Sequence, residues 1–283
     1  MSVRRVLGIC AAGTVLLVIA VAFIVVPPIA AGGLLHPARV ALYHDAPRGC
    51  VEREFTGAGL TLRGWSCTAV GERHGSVVYL HGVADNRSSA VGVIEHLTPR
   101  GFDVIAYDSR AHGQSEGTSC TYGFYEKQDL ARVIDSLPPG PVVLIGSSLG
   151  AAVALQTAVG NDRVTGVVAA EAFSDLRTIA TQRAPRVLPG LLIRRAFKIA
   201  DEQGRFDVAS VSPVDAAASL RIPVLLIHGA DDVETRPEHS KHILSALAGP
   251  KQLLLVPGAG HNQSMNSPDV WREIERWLAF VAP

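Results

Sequence analysis

Short, continuous apolar runs recur along this chain, and each is followed by a stretch with helical spacing. The runs at 76–80, 102–107, 141–145, 164–170, 223–227 and 252–256 are rich in Val, Ile and Leu. They read as strands. Segments 90–97, 124–137, 151–159, 237–247 and 268–280 read as helices. Strands that are apolar throughout, instead of alternating with polar residues, are buried on both faces. Strands that alternate with helices pair in parallel. The pattern therefore predicts an α/β fold with a mostly parallel, doubly wound sheet and helices on both faces. Two stretches break the rhythm. Segments 52–56 and 60–65 flank Gly57-Ala58-Gly59 and read as an N-terminal β-hairpin. Residues 177–220 hold scattered Pro, Gly and Arg without a strand, and are expected to form a short helical lid. In the last helix Val270, Trp271, Ile274, Trp277 and Leu278 share one stripe, which reads as core.

The N-terminus differs in kind. Arg4 and Arg5 precede 21 residues, 6–26, without a charge. As a helix these would span about 32 Å, close to the thickness of a bilayer core. Pro27-Pro28 is expected to stop that helix. The reading is a transmembrane signal anchor over 1–27, a linker over 28–48 and a catalytic domain over 49–283. Secretion after cleavage near Ile29-Ala30-Ala31 is the alternative, although signal peptides carry shorter apolar regions. The leading arginines place the domain outside the cytoplasm, and Arg39 and Arg48 count against that placement.

Composition adds limits. The 283 residues are 48% hydrophobic and 18% charged, with zero net charge, which suits a sizeable core and lacks the basic footprint of a nucleic-acid binder. If Ala58-Gly59 forms the hairpin loop, Cys50 lies opposite Cys67. That register allows a disulfide in an oxidising compartment, against the alternative of two unpaired cysteines. Cys120 is then a free thiol.

The chemistry centres on Gly146-Ser147-Ser148-Leu149-Gly150, between an apolar run and a strong helix former. A G-x-S-x-G sequence at a strand-to-helix turn exposes its serine at a helix N-terminus, so Ser148 is the candidate nucleophile. A serine needs a base, and the base an orienting acid. His228-Gly229-Ala230-Asp231-Asp232 and Gly258-Ala259-Gly260-His261-Asn262 each follow a predicted strand, where ligands of parallel sheets gather. His261 is the candidate base. Asp231 and Asp232 compete as the acid.

With Leu80-His81-Gly82 and Asp108-Ser109-Arg110-Ala111-His112-Gly113-Gln114-Ser115, these motifs stand in the order seen in the α/β-hydrolase superfamily. Over about residues 50–280 the chain resembles its branch of small serine hydrolases and esterases with a short lid, which has serine-aminopeptidase-like relatives. The resemblance implies a Ser148-His261-Asp232 triad, with the Val83 and Leu149 N–H groups as the oxyanion hole. It implies a bracing role for His81. Ala111 stands where the family has glycine, which strains the loop if φ is positive there. Asp108 and Arg110 are expected to hold that loop through a local ion pair or backbone hydrogen bonds, and His112 to pack against it.

The expected activity is hydrolysis of a small-molecule carboxylic ester without cofactor or metal. The alternatives are an amidase, peptidase or acyltransferase with the same triad, or an inactive hydrolase-fold binding module. His239 and His242, three apart on a helix, read as surface residues. The lid residues Leu188, Leu191, Leu192, Ile193 and Phe197 are the candidates for lining an acyl pocket.

Overall fold

The computed structural model describes residues 3–282; the side chains of residues 3–12, 15, 18 and 19 lie outside the described set. Eight strands form one sheet: β1 (Cys50–Thr56), β2 (Thr61–Cys67), β3 (Gly75–Leu80), β4 (Phe102–Tyr107), β5 (Val142–Ser147), β6 (Val164–Ala170), β7 (Val224–Gly229) and β8 (Lys251–Val256). Their spatial order is β1-β2-β4-β3-β5-β6-β7-β8. Pairing is parallel from β4 through β8, and β1 and β2 add antiparallel at one edge. The helices are α1 (Val3–Leu35), α2 (Val91–Leu97), α3 (Glu126–Asp135), α4 (Leu149–Thr157), α5 (Leu176–Arg183), α6 (Gly190–Gly204), α7 (Pro213–Ser219), α8 (Glu238–Ala246) and α9 (Pro268–Val281).

Neighbouring residues of the central strands serve opposite faces. Val78, Leu144 and Leu226 pack with α3, α4, α7 and α8, whereas Val77, Val143 and Leu225 pack with α2 and α9. Both faces are buried, which is why these strands read as unbroken apolar runs. The stripe Val270, Trp271, Ile274 and Leu278 lies inside the second layer, as its spacing suggests. In the hairpin, Cys50 pairs in register with Cys67, and the two form a disulfide. Cys120 is a buried free thiol.

The N-terminal part departs from expectation. The helix does not stop at Pro27-Pro28 but runs through both prolines to Leu35. Two consecutive prolines remove two helical donors, a cost of several kcal/mol in an isolated helix. Tertiary packing offsets it. Pro27, Ala31 and Leu35 recur every fourth residue and are buried, and Leu35 is fully enclosed in a cluster with Phe173, Leu176, Ala200 and Phe206. The guanidinium of Arg195 on α6 lies 4.7 Å above the Phe23 ring. The expected linker over 28–48 is therefore helix as far as Leu35, and the remainder is strapped down. Arg39 donates to the carbonyls of His112, Gly113, Ser115 and Gly117, and the Asn86 side chain donates to those of Val40 and Ala41.

The expected transmembrane anchor gains no support. Among the described residues no helix is long and apolar enough to cross a membrane. Much of the expected anchor lies among side chains outside the described set. The lid also proves shorter than 177–220. α5 and α6 form it, whereas α7 packs with α4 and α8 in the layer on the sheet.

Candidate active site

Ser148 sits between the last residue of β5 and the first of α4, with φ 52° and ψ −111°. The flanking glycines make that sharp turn possible. A Cβ on Gly146 would lie 2.4 Å from the backbone of Gly150, and one on Gly150 would lie 2.1 Å from the Leu80 carbonyl oxygen. Neither contact can be relieved by moving a side chain, so the turn is closed to larger residues. The positive φ of Ser148 stores strain of order 1–3 kcal/mol, held by a buried surround.

The ends of β7 and β8 deliver the partners. His261 Nδ1 lies 2.7 Å from Asp232 Oδ2, and His261 Nε2 lies 3.0 Å from Ser148 Oγ. An ionised carboxylate only accepts, so Nδ1 carries the proton and Nε2 is left to accept from the serine hydroxyl. Asp232 is buried, and its Oδ1 accepts from the backbone N–H groups of Glu234 and Thr235 at 2.9 Å each. Burial alone would raise its pKa. Hydrogen bonds from His228, His261 and the Thr235 N–H overcome that, and hold the carboxyl well below the usual range. Asp231 is exposed and touches this network only through its own backbone N–H to Ala259. Of the two sequence candidates, Asp232 is the one brought to His261.

The Val83 and Leu149 N–H groups meet no protein acceptor among the described residues, and both residues border the cavity at Ser148. They are free to donate to an oxygen of a bound group. His81 braces the loop below: its Nε2 accepts from the Ser109 N–H at 2.9 Å, and its Nδ1 lies 2.7 Å from the Gly82 carbonyl. Burial lowers its pKa. His112 stacks edge-on to His81 and bonds the Arg110 carbonyl.

Two expectations are corrected, and a third is met through one of its two alternatives. Asp108 and Arg110 do not pair with each other, but Asp108 does hold its loop through a backbone hydrogen bond, from the Gln114 N–H. Asp108 takes the buried Arg87 guanidinium at 2.5 Å and the N–H groups of Arg87 and Gln114, while Arg110 grips Asp129 through two bonds at 2.6 and 2.8 Å. The side chains of 108 and 110 point to different elements, so the local ion pair, the other alternative, does not form. His239 is not a surface residue. It is 2% exposed, accepts from the Ser174 N–H and lies 3.0 Å from Gln182 Oε1. Nor do the lid leucines line the cavity at Ser148. That cavity, about 50 Å³, is bordered by Leu34, Tyr122, Phe173, Leu176, Ile179 and Arg183 among others. Ala111 does adopt a positive φ, 62°, so the strain that its replacement of glycine threatens is present.

Four neighbours of the site escaped sequence reasoning. Glu171 follows β6, is 1% exposed, has φ 50°, and accepts from the N–H and hydroxyl of Ser264 in the loop that carries His261. Its position at the carboxyl end of a parallel strand was the available signal. Asn262 accepts from the Ser147 hydroxyl at 2.7 Å and so ties the histidine loop to the serine turn. Arg183 comes from α5 and Leu34 from α1. Neither has a local signature, because each arrives through tertiary packing.

A parallel sheet with a serine at a strand–helix elbow, a histidine and a buried aspartate on successive strand ends, and two free N–H groups beside the serine defines the α/β-hydrolase class. Comparison with known proteins agrees. Residues 75–206 match the family model for the alpha/beta hydrolase fold. The chain is 30% identical over 272 residues to the uncharacterized protein YfhR of Escherichia coli (strain K12), covering 92% of this chain and 90% of that protein. Among solved structures it is similar to the Pyrococcus furiosus esterase Pf2001 (TM-score 0.70, 22% identity, 88% of this chain and 100% of that one). It is also similar to an acetyl xylan esterase from Paenibacillus sp. R4 (TM-score 0.67, 20% identity, 90% and 92%). At those identities the structural likeness speaks for the fold. The chain belongs to the α/β-hydrolase superfamily.

Proposed function

We propose that this protein is a serine hydrolase that cleaves carboxylic esters through Ser148, His261 and Asp232. The observation that carries the reading is the unbroken relay from Asp232 Oδ2 through the His261 ring to Ser148 Oγ, at 2.7 and 3.0 Å. His261 Nε2 takes the Ser148 proton as the hydroxyl oxygen attacks the ester carbonyl. The carbonyl oxygen, now negative, rests on the Val83 and Leu149 N–H groups, each such donor being worth about 3–4 kcal/mol in the transition state. His261 passes its proton to the departing alcohol oxygen. A water then attacks the acyl-serine and gives its proton to His261, which passes it to Ser148 Oγ as the acyl–serine bond breaks and the acid leaves. Asp232 stays ionised throughout, because its pKa lies below the usual carboxylate range.

The catalytic domain works outside the cytoplasm in this reading. The Cys50–Cys67 bond supports it, since disulfides persist in oxidising compartments. Membrane attachment through residues 6–26 rests on the sequence pattern alone. A fluorophosphonate probe tests the chemistry: the expected result is one adduct, on the peptide that contains Ser148. An intact, folded protein that takes no probe contradicts the proposal.

A further inference from the structure

Two cavities meet at Arg183, and they differ sharply. The one that holds Ser148 is small, about 50 Å³, and walled chiefly by Leu34, Tyr122, Phe173 and Ile179. The other is a cleft of about 670 Å³ between the α5–α6 connection and the loop after β7. Its charged lining is Arg183, Arg186 and Arg236 against a single carboxylate, Glu234.

Acyl chemistry assigns the two spaces, given the esterase reading above, on which this inference rests. The acyl carbon sits on Ser148 Oγ with its oxygen toward Val83 and Leu149, so the acyl chain occupies the small cavity. The leaving oxygen receives its proton from His261 Nε2 and must lie against that atom. Arg183 Nη2 stands 3.5 Å from His261 Nε2. The alcohol portion therefore departs past Arg183 into the large cleft.

The charges there are available. Arg183 is steadied by Thr235 Oγ1 at 3.0 Å and the Glu234 carbonyl at 3.4 Å, and its Nη1 meets no acceptor among the described residues. Glu234 Oε2 is a distant 3.9 Å from Arg183 and 63% exposed on its side chain. Among the described residues neither the Arg186 nor the Arg236 guanidinium makes a hydrogen bond or ion pair, whereas the Arg236 backbone carbonyl accepts from the His239 N–H. Structural arginines elsewhere engage both terminal nitrogens: Arg87 holds Asp108, Glu52 and Gln114, and Arg163 holds three carbonyls. A cleft with spare guanidinium donors beside a leaving-group path suits an anion.

The geometry points to an ester of a short acyl group with an alcohol that carries a carboxylate or phosphate, bound by Arg183, Arg186 and Arg236. The bond balance is that of hydrolysis. The Ser148 oxygen–acyl bond forms as the acyl–alkoxy bond breaks, and the serine proton reaches the alkoxy oxygen through His261. Water then replaces the serine, giving the free acid and the anionic alcohol.

The test compares acetate release from 3-acetoxypropyl phosphate, 4-acetoxybutanoate and uncharged 3-acetoxypropan-1-ol by the full chain. At low salt the better anionic ester should exceed the neutral one by about 10-fold or more in kcat/KM, as expected of charge-assisted hydrogen bonds. Which anion leads identifies phosphate or carboxylate as the recognised group. Raising NaCl to about 0.5 M should shrink that ratio without any substitution, because the cleft is open to solvent. The ratio should also collapse in the Arg183→Gln, Arg186→Gln and Arg236→Gln variants. Equal rates, or a preference for the neutral ester, overturn the inference. If the neutral ester is still cleaved in a Ser148-dependent way, only the substrate assignment falls; if no ester is cleaved, the esterase reading falls with it.

Discussion

The rim of the sheet and the cap above it reach order by different routes. On the rim, Ser148, Asp232 and His261 sit on turns whose conformation is fixed within a few residues, by Gly146 and Gly150 at the serine and by the Glu234 and Thr235 N–H groups at the aspartate. In the cap, α5, α6 and the end of α1 are held by a shared apolar cluster around Leu35, Phe173, Ala200 and Phe206. Local geometry makes a rim that tolerates little change in chemistry. Pooled burial makes a cap whose sequence can vary as long as its volume is filled.

The contrast is sharpest at Asp232. Asp232→Asn should keep the fold yet lower ester turnover by about 10⁴-fold, since the imidazole loses the tautomer that accepts from serine. Steady-state kinetics on a variant with an unchanged circular dichroism spectrum checks this. A loss below tenfold would mean that the rim is not the working region. In the cap, Leu35→Ala should cost about 2–5 kcal/mol of stability, measured by denaturant unfolding, because it empties a fully buried position. A change under 0.5 kcal/mol would show that the α1 end is not part of the cap.

Where rim and cap meet, pH provides a finer probe. Burial holds the imidazoles of His112 and His239 down at about 4, from an ordinary 6.5. Between those values the unfolded chain binds protons that the folded chain refuses. Stability should therefore fall as pH drops from about 6.5 toward 4, by at most about 3 kcal/mol for each histidine. His239 joins α8 to α5 through Gln182, so His239→Gln should flatten part of that slope. An identical slope in parent and variant would rule out this joint. The smallest effect belongs to Ala111, whose φ of 62° suits glycine. Ala111→Gly should raise stability by about 0.5–1 kcal/mol, the relief of strain exceeding the added entropy of the unfolded chain. A lower melting temperature would show that the alanine methyl matters more than its backbone.

The same contrast explains what could be read from the chain. The parallel strands, the hairpin register that pairs Cys50 with Cys67, and the order of serine, aspartate and histidine all follow from patterns a few residues long. The continuation of α1 through Pro27-Pro28 does not, because proline locally argues for a stop and distant partners such as Phe173, Ala200 and Phe206 reverse it. Arg183 and Leu34 escaped for the same reason. The ion-pair partners of Asp108 and Arg110 were not legible, because nearby residues on a turn can face different elements, here Arg87 and Asp129. Glu171 was overlooked because its role depends on Ser264, far along the chain.

The central claim is that Ser148 attacks the ester, and one measurement addresses it directly: kcat/KM for p-nitrophenyl acetate in the parent protein and in Ser148→Ala. The account predicts measurable turnover in the parent and a loss of about 10⁴-fold or more in the variant. A folded Ser148→Ala protein that turns over the ester at the parent rate would contradict it.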